Sequence, residues 1–182
     1  QGKLKSEGFV ATVMSNLGLH KFCEENHLKL LCAAVGDRNV LELMQKESMV
    51  LGGEQSGHII FLEHMTTGDG QLAALQFLSI LGQSGKKASE LAGQITHYPQ
   101  LLQNVKVGSN EEKTAILNSA ELSMIVAREE EKLAGHGRIL LRASGTEPLI
   151  RVMAEADTQD LAESVVKTLV QAVENIQKIL NK

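Results

Sequence analysis

The sequence predicts an α/β protein in two parts. A mostly parallel three-layer α/β/α domain comes first, followed by a smaller α+β domain with an antiparallel sheet and helices on one face. Three observations carry this. Short apolar runs alternate with helical stretches through the first half, as when crossover helices join parallel strands. Residues 28–35 are nearly all apolar, the pattern of a strand covered on both faces. The second half changes to the order β-α-β-β-α, with only a compact polar loop between its last two strands.

Residues 9–14 read as the first strand, and 18–26 as a helix with Leu19, Phe22 and Cys23 on one face. The apolar strand 28–35 follows, then a short helix over 40–47 and a strand holding Ile59, Ile60, Phe61 and Leu62. Thr67-Gly68-Asp69 is a polar helix-start signal ahead of the apolar run 72–78. Residues 82–87 have linker-like composition and 89–95 form one more short helix, which divides the chain into domains 1–88 and 89–182. Beyond lie a strand at 101–107 and a helix over 111–133 with Ile116, Leu122, Ile125 and Val126 on its apolar face. Strands at 138–141 and 148–155 come next. A closing helix over 157–180 carries Leu161, Val165, Leu169, Val173, Ile176 and Leu180 at three- and four-residue steps.

Composition excludes several functions. Of the 182 residues 43% are apolar and 22% charged, enough to bury a core and too little charge for disorder. The net charge of −4, with one Tyr, four Phe and no Trp, removes both the electrostatic footprint and the stacking platforms of a nucleic-acid binder. The longest unbroken apolar run, 30–35, falls far short of the ~18–20 residues of a membrane span. Gln1-Gly2-Lys3-Leu4-Lys5 leads into no signal-peptide core and lacks an initiator Met, which suggests a fragment or processed chain. Cys23 and Cys32 make neither a disulfide framework nor a zinc pattern, so the expectation is a reducing, cytoplasmic compartment with both thiols buried. The run 128–132 reads as a solvated helix face.

Two loops carry chemistry. The first, GGEQSGH at 52–58, puts three glycines around a carboxylate, an amide, a hydroxyl and an imidazole. Glu54, Ser56 and His58 suit sugar hydroxyls, because a carboxylate accepts two O–H bonds and a serine both donates and accepts. The same string also serves as a plain turn into a strand. The second, RASGTEP at 142–148, interrupts two apolar runs. Arg142 offers a planar fork to a phosphate, and Ser144, Gly145 and Thr146 offer hydroxyls and backbone N–H groups. An ordinary hairpin loop has the same turn formers. Arg151, on the next strand, reads as a support or, slightly better, as a solvated residue. Gly36-Asp37-Arg38 has one acid, too few oxygens for a divalent cation, and no metal site is expected.

Five strings in order, TVMSNLG at 12–18, VGDR at 35–38, GGEQSGH at 52–58, TTGDG at 66–70 and RASGTEPLIRVM at 142–153, resemble the α-D-phosphohexomutase superfamily from about residue 10 onward. The resemblance implies domains 3 and 4 of a four-domain enzyme, with Glu54 and Ser56 on sugar hydroxyls and His58 close by. Arg142, Ser144, Gly145 and Thr146 would hold the non-transferring phosphate. Asp37 and Arg38 match a cleft-facing loop, although Asn39 stands where Tyr is frequent. The implied reaction moves phosphate between the 6- and 1-positions of a hexose phosphate through an enzyme phosphoserine. Gln55 and the SGTEP string resemble the branch acting on glucosamine phosphate, with glucosamine 1,6-bisphosphate as intermediate. A fragment of a phosphomannomutase or phosphoglucomutase, or a noncatalytic sugar-phosphate-binding module, are the alternatives. The family's Ser-His-Asn phosphoserine loop and its acidic Mg2+ loop do not occur in this sequence. The catalytic residues and Mg2+ ligands are therefore expected in domains 1 and 2, upstream partners of this chain, and the fragment alone is expected to be inactive. The oligomeric state is left open, a homodimer included.

Overall fold

In a computed structural model, which describes residue 4 and residues 7–181, the chain divides between His97 and Tyr98 into two units. The division falls later than the 88/89 expected from the linker-like stretch. A Cβ on Gly18 would collide with the Thr96 carbonyl oxygen, so the segment up to residue 96 packs directly on the first helix.

The first unit runs β1 (Gly8–Thr12), α1 (Leu17–Glu25), β2 (Lys29–Ala33), α2 (Asp37–Lys46), β3 (Leu51–Gly53), β4 (Ile59–Phe61), α3 (Gly70–Ser84) and α4 (Ala88–Ala92). The sheet order is β2-β1-β3-β4, with β1 parallel to both β2 and β3 and only β4 antiparallel. The mostly parallel sheet thus ends in a hairpin. Its β3 is a strand the composition hides, because Gly52 and Gly53 have low strand propensity. A Cβ on Gly52 would sit 2.5 Å from Met44 Sδ, so glycine is what lets α2 pack close to β3. Helix starts follow the sequence signals. Asn16 Oδ1 accepts from the Gly18 N–H, and Asp69 Oδ1 accepts from the Gln71 and Leu72 N–H groups. Val10, Ala33, Val40, Met44, Met49 and Ile60 form the core between this sheet and α2. The apolar α3 buries none of its side chains, and Leu75, Phe77, Leu78 and Ile80 are exposed.

The second unit runs β5 (Gln100–Lys106), α5 (Asn110–Leu117), α6 (Ala120–Leu133), β6 (Gly137–Ala143), β7 (Leu149–Ala156) and α7 (Gln159–Leu180). Its sheet order is β5-β7-β6, antiparallel throughout. Alternate residues of β7, Ile150, Val152, Ala154 and Ala156, share one core with Val165, Leu169, Val173 and Ile176 of α7. The opposite parity of β7 carries Arg151 and Glu155 to the other face.

Three expectations are corrected. The single helix over 111–133 is two helices, because Asn118 ends α5 and the Ser119 hydroxyl caps α6 by accepting from the Leu122 N–H. Within the run read as solvated, Glu129 is buried and held by Lys132 at 2.6 Å and Arg128 at 3.5 Å. Of the two thiols only Cys23 is buried, where burial pushes its pKa up, while Cys32 is exposed. No helix among the described residues is long and apolar enough to cross a membrane. Residues 1–3, 5 and 6, on which the reading of the N-terminus largely rests, lie outside the described residues.

Candidate functional site

The string at 52–58 is the tip of the β3–β4 hairpin, with Gly53 opposite Ile59. The Glu54 N–H donates to the His58 carbonyl at 2.9 Å, and the Gly57 N–H donates back to the Glu54 carbonyl at 3.1 Å. Gly57 sits at φ +96°, a conformation that favours glycine. This tight turn exposes Gln55, Ser56 and His58. Glu54 is folded inward instead, and its Oε1 accepts from the Gly36 N–H at 2.9 Å. Gly36, at φ +122°, is the N-cap of α2. That bond brings the start of α2 onto the hairpin, where Asp37 Oδ1 lies 3.4 Å from His58 Nδ1. Glu54 Oε2 lies 4.0 Å from the same nitrogen. The structure therefore gathers Asp37, Glu54 and His58, with Ser56 on the exposed side of the turn. Arg38 does not join them. It is exposed and pairs with Glu42 at 2.8 Å along its own helix.

Asp37, Glu54 and His58 have ligand atoms within 4.8 Å of one another. Magnesium takes oxygen ligands in near-octahedral geometry. Here one donor is an imidazole and one Glu54 oxygen is already engaged by Gly36, so the set does not fit magnesium. It suits a polyol better, because two carboxylates accept hydroxyl protons and the imidazole can donate or accept. A cleft of about 470 Å3 also touches this hairpin, lined by Glu54 and Gln55 together with Phe9, Ala11, Leu51 and Ile59.

The string at 142–148 joins β6 to β7 in the second unit. The Ser144 N–H donates to the Leu149 carbonyl at 2.9 Å, closing the hairpin, and the Ser144 hydroxyl accepts from the Glu147 N–H at 3.3 Å. Ser144 is buried, so its side chain shapes the turn, whereas Gly145 and Thr146 are exposed. Neither the Gly145 nor the Thr146 backbone N–H has a hydrogen-bond partner among the described residues. The tip is thus a pair of free donors held by an internally satisfied turn, an anion-binding geometry.

Two further residues lie at this loop: Arg151, which the sequence offers as a support or, slightly better, as a solvated residue, and Lys113, which it does not single out. Arg151 is the register partner of Arg142 across β6 and β7. Both Nε atoms are buried without a hydrogen-bond partner, and neither side chain has an ion pair among the described residues. Burial, and then the neighbouring Arg151 charge, hold the Arg142 pKa below its usual value. Two opposed guanidiniums without an acid between them call for an anion. The signal was in the sequence: a hairpin that pairs 143 with 150 puts 142 opposite 151. The other residue is Lys113 of α5, buried under the loop, whose Nζ donates to the Ser144 carbonyl at 2.7 Å and the Glu147 carbonyl at 3.3 Å. No local pattern in the sequence announces it, because the contact joins residues far apart in the chain.

A mixed sheet ending in a Gly-rich hairpin, followed in the chain by an antiparallel α+β unit, is the architecture of phosphohexomutase domains. The chain belongs to the phosphoglucomutase/phosphomannomutase family. The family's alpha/beta/alpha domain III matches residues 1–98 and its C-terminal domain matches residues 102–172. The phosphoglucosamine mutase of Ligilactobacillus salivarius (strain UCC118) is 50% identical over 96% of this chain and 38% of its own length. The chain thus spans well under half the length of that relative. Among solved structures, Aspergillus fumigatus N-acetylphosphoglucosamine mutase in complex with GlcNAc-6P and magnesium superposes with a TM-score of 0.78 at 20% identity, over 93% of this chain and 39% of that one. A variant of the same fungal enzyme in complex with glucose 1,6-bisphosphate gives 0.77 at 21% identity, over 93% and 38%. At these identities the structures speak to the fold.

Proposed function

We propose that this chain is the substrate-holding C-terminal part of a phosphoglucosamine mutase, which interconverts glucosamine 6-phosphate and glucosamine 1-phosphate. The observation that carries the reading is the facing pair Arg142 and Arg151, without counter-ions among the described residues, beside the N–H groups of Gly145 and Thr146, likewise without partners there. That is a receptor for a phosphate dianion, which a sugar phosphate supplies. The sugar would be held separately by Glu54, Ser56 and His58, with Asp37 as a further acceptor. Glucosamine as the sugar is supported by the names of the relatives near half identity, and the substrate amine is cationic, which suits the acids gathered at the hairpin.

In this reading each loop has its own task. Arg142 and Arg151 neutralise and orient the phosphate that stays in place. The hairpin holds the sugar through its hydroxyls. Phosphoryl transfer is mostly positioning and charge stabilisation, work of the kind that each of these groups of residues can do. Magnesium would assist charge neutralisation in the whole protein, in line with the fungal complex. Asp37, Glu54 and His58 would not hold it. Glucosamine 1,6-bisphosphate would be the intermediate, and the protein would work in the cytoplasm.

The test is an NMR titration of the chain with glucosamine 6-phosphate, glucose 6-phosphate and inorganic phosphate. Sugar phosphates should shift the amides of 53–58 and 142–146, glucosamine 6-phosphate most strongly. Inorganic phosphate should shift only 142–146. Glu54→Ala should weaken glucosamine 6-phosphate binding by about 1–2 kcal/mol, the scale of a lost polar contact, and leave inorganic phosphate unaffected. Equal losses for both ligands would overturn the division between the loops. Turnover of the three hexose phosphates by the whole protein then separates this reading from a phosphomannomutase or phosphoglucomutase, and absence of all turnover would favour a binding module.

A further inference from the structure

We propose that Lys113 is a positioning residue that aims the Gly145 N–H at the bound phosphate. The inference rests on the reading that the turn at 142–146 holds a phosphate. The geometry is that of one peptide unit. The carbonyl of Ser144 and the N–H of Gly145 belong to the same planar trans peptide, so they point in opposite directions. Lys113 Nζ donates to that carbonyl at 2.7 Å from beneath the loop. Fixing the carbonyl inward therefore fixes the Gly145 N–H outward, where no acceptor among the described residues meets it. The second bond, to the Glu147 carbonyl at 3.3 Å, clamps the other end of the turn to the same ammonium.

Energetics single this lysine out. Lys113 is 7% exposed, yet it has no carboxylate partner among the described residues. A buried ammonium carries a large desolvation cost unless it is hydrogen-bonded and its charge answered. Two carbonyls supply the bonds but no net charge. A phosphate seated on the far side of the same peptide would supply it, with the ammonium polarising the peptide toward the anion. A Cβ at 145 would meet nothing within 4 Å. The position is open rather than packed.

The experiment compares the wild-type chain with Lys113→Met, Lys113→Arg and Arg142→Ala, titrated with inorganic phosphate and read at each loop amide. Lys113→Met should keep a cooperative melt and normal exchange protection at Val152 and Ala154. It should bind phosphate about tenfold or more weakly, the scale of a charge-assisted hydrogen bond, with the Gly145 shift largely lost. Lys113→Arg, which retains charge and donors, should recover part of both. A purely structural lysine would lower the melting temperature and leave the affinity of the folded protein alone, so a folded Lys113→Met that binds phosphate within about twofold of wild type overturns the proposal. If that variant does not fold, the wild type still decides the matter through the scalar coupling across the hydrogen bond from Lys113 15Nζ to the Ser144 carbonyl carbon. The coupling should be present and grow with phosphate. A freely rotating ammonium unaffected by phosphate overturns the role. Failure of the wild type to bind phosphate would overturn the phosphate reading and the proposal with it, whereas loss in Arg142→Ala but not in Lys113→Met overturns the Lys113 role alone.

Discussion

Arg142→Ala should weaken inorganic phosphate binding by about 1.5–3 kcal/mol, or roughly 10- to 150-fold, as expected when a hydrogen-bonded charge is removed. Arg151→Ala should do the same, and the double variant should lose less than the sum because both side chains address one anion. The effect on stability should reverse with ligand. Without phosphate the two guanidiniums face each other across β6 and β7 with buried, unpartnered Nε atoms. Like charges directly opposite on a sheet cost about 0.2–1 kcal/mol. A guanidinium stays protonated at any pH the protein tolerates, even with the downward push that burial and Arg151 give Arg142, so pH does not relieve this burden. Only an anion or a substitution does. Arg142→Gln, which keeps more of the stem than alanine, should therefore match or exceed the wild-type melting temperature in phosphate-free buffer. In phosphate at 100 times its Kd the wild type should gain about 2.7 kcal/mol and the variant far less, so the order of the two melts should reverse. Melts that keep the same order with and without phosphate would remove Arg142 from an anion site.

That pairing shows how much of the site the sequence carried. The turn residues were legible because Gly145 and its polar neighbours interrupt two apolar strands, and such an interruption marks a loop whatever its partners. Arg142 was legible as the charged residue where the strand meets the loop. The role of Arg151 required the register, which one loop length determines, so it was within reach of the sequence. Lys113 was not, since nothing in its own helix distinguishes a lysine that turns inward from one that faces water. The same limit applied in the first unit. Glu54 and His58 were legible as neighbours in one loop. Asp37 joins them only because the Gly36 N–H finds the Glu54 carboxylate, a contact between α2 and a hairpin whose first strand is masked by two glycines. Fold class followed from alternation and periodicity. The split of 111–133 into α5 and α6 turned on a capping serine inside an otherwise continuous helical pattern.

Those two glycines give the second large effect. Gly52 and Gly53 are adjacent in β3, yet they should answer an added methyl group differently. At Gly53 a Cβ would lie 2.6 Å from the His58 carbonyl oxygen, which is the acceptor of the Glu54 N–H bond at the base of the turn. Backbone cannot rotate out of the way. Gly53→Ala should therefore force the two strands apart, at a cost of about 1–3 kcal/mol for overpacking, and displace Glu54 and His58 from each other. Sugar-dependent shifts at 53–58 should vanish, while inorganic phosphate should bind the second unit with its wild-type constant. At Gly52 the nearest atom is Met44 Sδ at 2.5 Å, the far end of an unbranched side chain that can change rotamer. Val40 Cγ1 at 2.9 Å is stiffer, so some cost remains. Gly52→Ala should thus lose stability in the first-unit core and keep the turn. Adding Met44→Ala to Gly52→Ala should recover less than the methyl strain, because Met44 is fully buried and its loss opens a cavity. Stability loss at Gly52 with the sugar response intact, against loss of both at Gly53, would show that the second glycine serves the site and the first serves the packing of α2. Identical behaviour of the two alanine variants would refute that separation.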